Sequence, residues 1–298
     1  MTVLILGGSG MLGHKLWQTL SPRFDTYATF RGSSAAFECF GLFAPDRSIG
    51  GVHAEELDSV IRAMRIARPD VVINCIGIVK QSAEAKDPVR SIAVNALFPH
   101  RLGELCGAAG ARLVHISTDC VFDGSRGDYR ESDDATATDL YGRTKHLGEV
   151  IAPGCLTLRT SIIGRELSGA SGLVEWFLSQ EGRSVRGFRR AIFSGLTTIE
   201  LSNVIARIIE HHPTLGGLWQ VASEPISKHD LLTLVKGACD LDIAIEPDDT
   251  FHCDRSLDGS RFAAATGIST PAWPAMVAEL CNDSTPYAEL RRSYASDR

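Results

Sequence analysis

The chain has 298 residues, 44% of them hydrophobic and 22% charged, and a formal net charge of -6 at pH 7. This is an ordinary soluble composition, long enough for one large α/β domain or a domain with a smaller lobe. The negative balance gives no electrostatic reason to expect nucleic acid or an anionic membrane surface as partner, and no apolar run approaches a membrane span. With no charged leader or cleavage signal ahead of the first strand, the chain reads as cytoplasmic.

The opening run Thr2–Leu6 is a short apolar strand that enters the turn Gly7-Gly8-Ser9-Gly10-Met11-Leu12-Gly13 and then a helix over Leu12–Leu20. Gly7 permits a tight turn, Gly10 lets the backbone approach a pyrophosphate, and Gly13 allows close helix–strand packing. Ser9, Met11 and Leu12 complete the cradle, and the helix N-terminus favours an anion. A dinucleotide cofactor is expected here. The second strand, Asp25–Phe30, ends at Arg31, where an NAD enzyme would offer a carboxylate to the ribose diol. A cation there suits a 2′-phosphate and favours NADPH, with NADH as the alternative. His14 and Lys15 are expected to add positive charge nearby.

A helix over Glu55–Ala67, a strand over Asp70–Ile76 and a helix over Val89–Ala109 follow. Asn74-Cys75-Ile76-Gly77 closes that strand, placing Cys75, Ile76 and Gly77 along the cofactor. Asn95, mid-helix, reads as a hydrogen-bonding support between helix and strand. The strand Arg112–Ser117 delivers Ser117 and Thr118 to the sheet edge. Tyr141 and Lys145 then share one face of a helix over Tyr141–Val150. A phenol with a pKa of about 10 is a poor proton shuttle at neutral pH, and an adjacent ammonium favours its phenolate. Lys145 can also hold the nicotinamide ribose, and the Thr118 hydroxyl can orient a substrate carbonyl.

After the strand Leu156–Thr160 the pattern changes. A helix is expected over Leu173–Gln180, another over Thr197–His211, and a strand over Gly217–Ala222. Helices over Lys228–Cys239, Ser256–Thr266 and Pro274–Cys281 surround a β-like run, Ile243–Glu246. The polar tail after Asn282 is expected to be loosely held. Short apolar strands alternating with helices predict an α/β fold: a Rossmann-like, doubly wound parallel sheet with a smaller C-terminal α/β lobe. Residues 1–160, with roughly 196–222, form the NADP-binding part; residues 161–195 and 223–290 form the substrate lobe. The eight cysteines (39, 75, 106, 120, 155, 239, 253, 281) have no metal-ligand spacing. They read as reduced thiols in apolar surroundings rather than a zinc site or disulfide framework.

With these residues in hand, the chain resembles the extended short-chain dehydrogenase/reductases, and more narrowly their dTDP-4-dehydrorhamnose reductase branch. The resemblance runs through Gly7–Gly13, Asn74–Gly77, Ser117-Thr118-Asp119-Cys120-Val121-Phe122-Asp123-Gly124, Tyr141–Lys145, Leu158–Ser161 and Leu257–Arg261, the Ser-Thr-Asp-x-Val-Phe-x-Gly run being the most specific. It implies reduction of a nucleotide-linked 4-keto-6-deoxyhexose at C4, with NADPH giving hydride and Tyr141 the proton. Thr118, Tyr141 and Lys145 would be the catalytic trio. Thr160 and Ser161 would border the nicotinamide, His53 would meet the adenine, and Ser194 to Thr197 would lie on the substrate side. Asp119, Cys120, Ile162 and Arg255 join the expected substrate contacts. Phosphate contacts are expected among Arg159, Arg189, Arg190, Arg255 and Arg261.

The sequence departs from the branch at Cys120 and Ile162, where tyrosine and tryptophan are usual, and lacks the usual proline before Thr197. A nucleotide-sugar dehydratase would carry Asp-Glu after Thr118, whereas Asp119 is followed by Cys120. An epimerase would share the trio but hold NAD, against Arg31. The same branch includes a regulatory subunit of methionine adenosyltransferase, a non-catalytic alternative. No metal is expected, and a homodimer is a compatible assembly.

Overall fold

The alternation of buried side chains along the first strand decides the architecture. In a computed structural model that describes residues 1–33 and 41–296, Val3 and Ile5 of β1 (Thr2–Leu6) bury into one apolar cluster, and Leu4 and Leu6 into another. A strand apolar on both faces must be covered on both faces, which is what crossover helices do in a parallel sheet. Six further strands join it: β2 (Asp25–Thr29), β3 (Ser48–Ile49), β4 (Val71–Asn74), β5 (Arg112–Ile116), β6 (Cys155–Arg159) and, after four short intervening strands, β11 (Gly217–Gln220). Every pair is parallel, and the order is β11-β6-β5-β4-β1-β2-β3.

The chain builds outward from β1 in one direction and then restarts at β4 on the other side. The crevice between the C-terminal ends of β1 and β4 is therefore a topological switch point, where open α/β sheets receive ligands. Helix α1 (Gly13–Leu20) packs on one face, burying Leu16, Trp17 and Leu20; α2 (Leu57–Ala67) covers the other with Val60, Ala63 and Met64.

The expected long helix over Val89–Ala109 is interrupted. It consists of α3 (Pro88–Ser91), a π-helical turn over Ile92–Leu97, and α4 (Phe98–Ala109). The wide turn faces Gly148, where a Cβ would overlap the Asn95 carbonyl oxygen, so α5 (Leu140–Leu147) can cross closely.

Among the described residues, the remaining strands form three small sheets. Strands β7 (Ile162–Ile163) and β10 (Leu196–Thr197) pair. Strand β9 (Ala191–Phe193) joins β12 (Ile226–Ser227) and β14 (Cys253–Asp254), and β8 (Ser184–Phe188) runs parallel to β13 (Ala244–Asp248). Their helices are α6 (Leu173–Leu178), α7 (Thr198–His211), α8 (Lys228–Ala238), α9 (Ser260–Thr266), α10 (Trp273–Cys281) and α11 (Tyr287–Ser296).

Two expectations are overturned here. The segment after Asn282 is not loosely held: Thr285, Tyr287 and Leu290 are buried, and Asp283 pairs with Lys15 at 2.5 Å. The cysteines are not all reduced, because Cys239 at the end of α8 is bonded to Cys281 at the end of α10, with Cα atoms 5.3 Å apart. The packing of α8 on α10 brings these two ends together, a proximity that sequence spacing does not reveal. Cys75, Cys106, Cys120, Cys155 and Cys253 are free thiols, while Cys39 lies outside the described residues.

Candidate active site

The C-terminal ends of β1, β4, β5 and β6 open into one cavity of about 650 Å³. Its first wall is the glycine turn, with Gly10, Met11, Leu12 and Gly13 on the lining. Gly7 has φ +85°, a backbone conformation that favours glycine, and a Cβ on Gly13 would overlap the Gly7 carbonyl oxygen. The Gly7 amide donates to Thr29 Oγ1 (3.2 Å) and the Gly8 amide to the Thr29 carbonyl (2.8 Å), tying the turn to β2. A turn this tight, opening a helix and kept free of side-chain bulk, fits a dinucleotide pyrophosphate.

Gly7, Ser9, Arg31, His53 and Asn95 are not on the cavity lining. Arg31 is well exposed at the end of β2, 3.6 Å from Glu84. The loop at His53 is fixed by its amide donating to Ser59 Oγ (2.9 Å). Asn95 is buried and grips the wall backbone, accepting from the Ile78 amide (2.8 Å) and donating to the Ile78 carbonyl (3.0 Å). His14 and Lys15 do not add charge to the loop. Both point away from the cavity into buried contacts with the C-terminal segment, and burial lowers the His14 pKa to about 4.

Cys75, Ile76 and Gly77 line the cavity beyond β4; Ser117 and Thr118 do so beyond β5, and Thr160, Ser161 and Ile162 beyond β6. Helix α5 lays Tyr141 and Lys145 across them. It can approach because Gly142 has no Cβ, which would overlap the Cys120 carbonyl oxygen. Asp139 caps the helix, its carboxylate accepting from the Gly142 amide at 2.8 Å. Thr118, Tyr141 and Lys145 therefore meet in one cavity with the glycine turn.

Their electrostatics differ from the expectation of a phenol acidified by its lysine neighbour. Burial raises the Tyr141 pKa, Cys120 adds to the rise, and a hydrogen bond with the Thr118 side chain opposes it. The Lys145 ammonium donates to the Ile116 carbonyl at 2.7 Å. Burial lowers its pKa to about 8, against the pull of Glu149 and Cys75. Burial is the largest influence on both groups.

Sequence reasoning missed Glu149. Its carboxylate accepts from Ser117 Oγ (2.7 Å), from Arg159 Nε and Nη2 (2.7 and 2.8 Å), and pairs with His146 Nδ1 (3.1 Å). Arg159 is thus buried in a bidentate pair and is not a phosphate contact. Arg189 pairs with Asp249, and Arg261 stacks over Trp219.

At the far end, Asp119, Cys120 and Arg255 line the cavity, joined by Phe193, Lys228, Phe251 and Cys253. Arg255 donates to the Phe122 and Asp123 carbonyls (2.8 and 3.4 Å). Lys228, which no motif marks, lies 3.9 Å over the Phe193 ring, and burial lowers its pKa. Ser194 and Thr197 lie behind the lining: Ser194 Oγ accepts from the Leu257 amide (2.7 Å), and Thr197 Oγ1 caps α7 by accepting from the Glu200 amide (3.2 Å).

The switch-point crevice, its glycine turn and the Tyr-x-x-x-Lys helix define an extended short-chain dehydrogenase/reductase fold. The chain belongs to the RmlD substrate binding domain family, whose sequence profile matches residues 1–184. A dTDP-4-dehydrorhamnose reductase of Streptomyces griseus is 34% identical over 149 residues, 49% of this chain but only 43% of the relative. Methionine adenosyltransferase 2 subunit beta of Pongo abelii is 31% identical over 150 residues, 49% of this chain and 41% of the relative. The match thus spans less than half the length of either relative. A crystal structure of dTDP-4-dehydrorhamnose reductase from Bacillus anthracis in complex with NADP has the same fold, with TM-score 0.78 over 94% of this chain and 98% of that one, at 20% identity.

Proposed function

We propose that the chain is an NADPH-dependent reductase acting on the C4 ketone of a nucleotide-linked 4-keto-6-deoxyhexose, in the biosynthesis of a deoxysugar. The observation that carries this reading is the meeting of Thr118, Tyr141 and Lys145 with the glycine turn in one cavity. The relatives named as dTDP-4-dehydrorhamnose reductases supply the substrate class.

When bound, NADPH supplies the hydride that adds to the ketone carbon. Tyr141 gives its proton to the substrate oxygen as that oxygen gains charge. The burial that raises its pKa keeps the phenol protonated and able to donate. Thr118 orients the same oxygen, and the Lys145 ammonium stabilises the negative charge left on the phenol. Arg31 takes the 2′-phosphate, exchanging an exposed ion pair of little worth; His53 borders the adenine. Gly7 and Ser9 belong to the pyrophosphate turn, Thr160 and Ser161 flank the nicotinamide, and Asn95 holds the wall. Asp119, Cys120 and Ile162 contact the sugar, while Lys228 and Arg255 receive the diphosphate. The sheet domain carries the cofactor and the smaller lobe the substrate.

The experiment is a panel of 4-keto nucleotide sugars with NADPH oxidation as readout. Tyr141→Phe should lower kcat by about 10²–10⁴-fold while NADPH binding stays intact; unchanged turnover rejects the assignment. A second reading, a cofactor-binding regulatory subunit, is favoured by the likeness to the adenosyltransferase subunit. NADPH and sugar-nucleotide binding without turnover on any member of the panel would select it.

A further inference from the structure

Lys15, Asp283 and Tyr287 form a buried polar cluster that lies off the cavity and has no part in the chemistry above. The Asp283 carboxylate takes the Lys15 ammonium (2.5 Å) and the Tyr287 hydroxyl (2.7 Å). Thr285 Oγ1 accepts from Lys15 Nζ (3.1 Å) and from Gln18 Nε2 (2.9 Å). The Tyr287 hydroxyl also meets His14 Nε2 at 2.9 Å, and His14 Nδ1 lies 2.9 Å from the Gly10 carbonyl. A carbonyl only accepts, so Nδ1 carries the hydrogen, and the neutral ring's Nε2 is an acceptor facing the phenol, whose single hydrogen is shared between Nε2 and the Asp283 carboxylate. Burial, which holds the His14 pKa near 4, keeps that ring neutral. A hydrogen-bonded chain therefore runs from the C-terminal segment to Gly10 in the glycine turn.

The same segment grips a second part of the cavity rim. Arg291 donates from Nε and Nη2 to the Glu166 carbonyl (3.1 and 2.8 Å) and pairs with Glu175. Glu175 accepts from Arg165 Nε (2.7 Å) and the Glu166 amide (3.0 Å), and Glu166 Oε2 accepts from the Gly172 amide (2.9 Å). Arg165 lies 4.4 Å over the Tyr287 ring. Glu166 and Gly172 line the cavity, as does Met11 of the glycine turn, and a Cβ on Gly172 would sit 2.5 Å from Met11 Cε. The two rims meet at this point, and one segment holds both from behind.

We propose that Asp283–Arg291 is a positioning element for the cofactor end of the site: Tyr287, through His14, fixes the Gly10 carbonyl, and Arg291, through Glu166 and Glu175, fixes the opposing rim. Neither residue lines the cavity. The segment acts on cofactor affinity by holding the two rims at one separation, in the way outer partners orient the groups that touch a ligand. This rests on the reading of the glycine turn as an NADPH site.

The test is NADPH binding by the full-length protein, titrated by cofactor fluorescence at a temperature where each variant is folded. Tyr287→Phe, which keeps the ring and removes the hydroxyl, should raise Kd about three- to tenfold, the weight of one positioning hydrogen bond. Arg291→Met should do the same from the other rim, and Arg291→Lys, which keeps the charge facing Glu175, should recover part of the loss. With NADPH saturating, kcat should stay within about twofold. Both variants binding NADPH as tightly as the parent overturns the proposal, whatever happens to their melting temperatures. A parent protein that binds no NADPH removes the cofactor reading itself and the positioning role with it; only in the first failure does parental binding survive.

Discussion

Tyr141 and Lys145 lie one helical turn apart, as their spacing requires, but their acid–base character is set by groups far away in sequence. The Lys145 ammonium is held by the Ile116 carbonyl and depressed to about 8 by burial. The proposed reduction would use this charge and the Tyr141 proton, both present at lower pH. The kcat/KM for ketone reduction should therefore fall as pH rises through about 8, and Lys145→Met should flatten that limb along with lowering the rate; a pH–rate profile of the two proteins checks it. Glu149 is the second case. Burial opposes its charge, but Arg159, with Ser117 and His146, outweighs it and holds the carboxyl below its ordinary range. A depressed carboxylate stabilises the fold above its unfolded pKa, and that contribution is lost as pH falls through the folded value. Glu149→Gln leaves Arg159 buried opposite a neutral group and should cost about 3–5 kcal/mol in denaturant unfolding. Neither Glu149 nor Lys228 belongs to a pattern in the chain. Only the ion pair of Glu149, just after α5, with Arg159 of β6, and the placing of Lys228, at the start of α8, on the cavity lining bring them to the site.

Most helices and strands of the N-terminal half were legible because each carries its signal locally, whereas the two-residue β3 (Ser48–Ile49) carries none and was not expected. Thr2–Leu6 and Arg112–Ile116 are apolar, β-rich runs bounded by turn residues, and Leu57–Ala67 buries Val60, Ala63 and Met64 at helical spacing. The π-helical turn at Asn95 was not legible, since Ile92–Leu97 looks like ordinary helix until Gly148 and Ile78 are brought against it. The C-terminal segment misled for a related reason. Its Asp283, Thr285 and Arg291 read as solvated residues but are satisfied by Lys15, Gln18 and Glu175. The bond between Cys239 and Cys281 pins the end of α10 two residues before this segment begins. It closes a sequence separation of 42, which in the chain-entropy account stabilises the fold by up to about 4 kcal/mol. Cys239→Ser, or the parent protein under reductant, should melt at a lower temperature; identical melting curves with and without dithiothreitol would show that this bond contributes nothing to stability.

Across the whole molecule, seven parallel strands place the ends of β1, β4, β5 and β6 along one edge, and residues separated by more than a hundred positions meet there. The proposed cofactor end of the cavity draws on the turn after β1, the strand ends at Asn74 and Ile116, and the rim at Glu166 and Gly172. A ligand that joins these parts should stabilise the assembled state over the unfolded chain by mass action. NADPH at a hundred times its Kd should add about 2.7 kcal/mol to unfolding, read as a rise in melting temperature that NADH at the same concentration matches less well. The sequence by itself determined the parallel α/β architecture, the glycine turn that opens α1 and the shared helix face of Tyr141 and Lys145, because periodicity, glycine spacing and helical registry are local properties. Only the tertiary structure decided which cations face the cavity, how burial shifts the phenol and the ammonium, and that the C-terminal segment closes on the glycine turn. Desolvation and charge pairing depend on distances in space, which chain order does not fix.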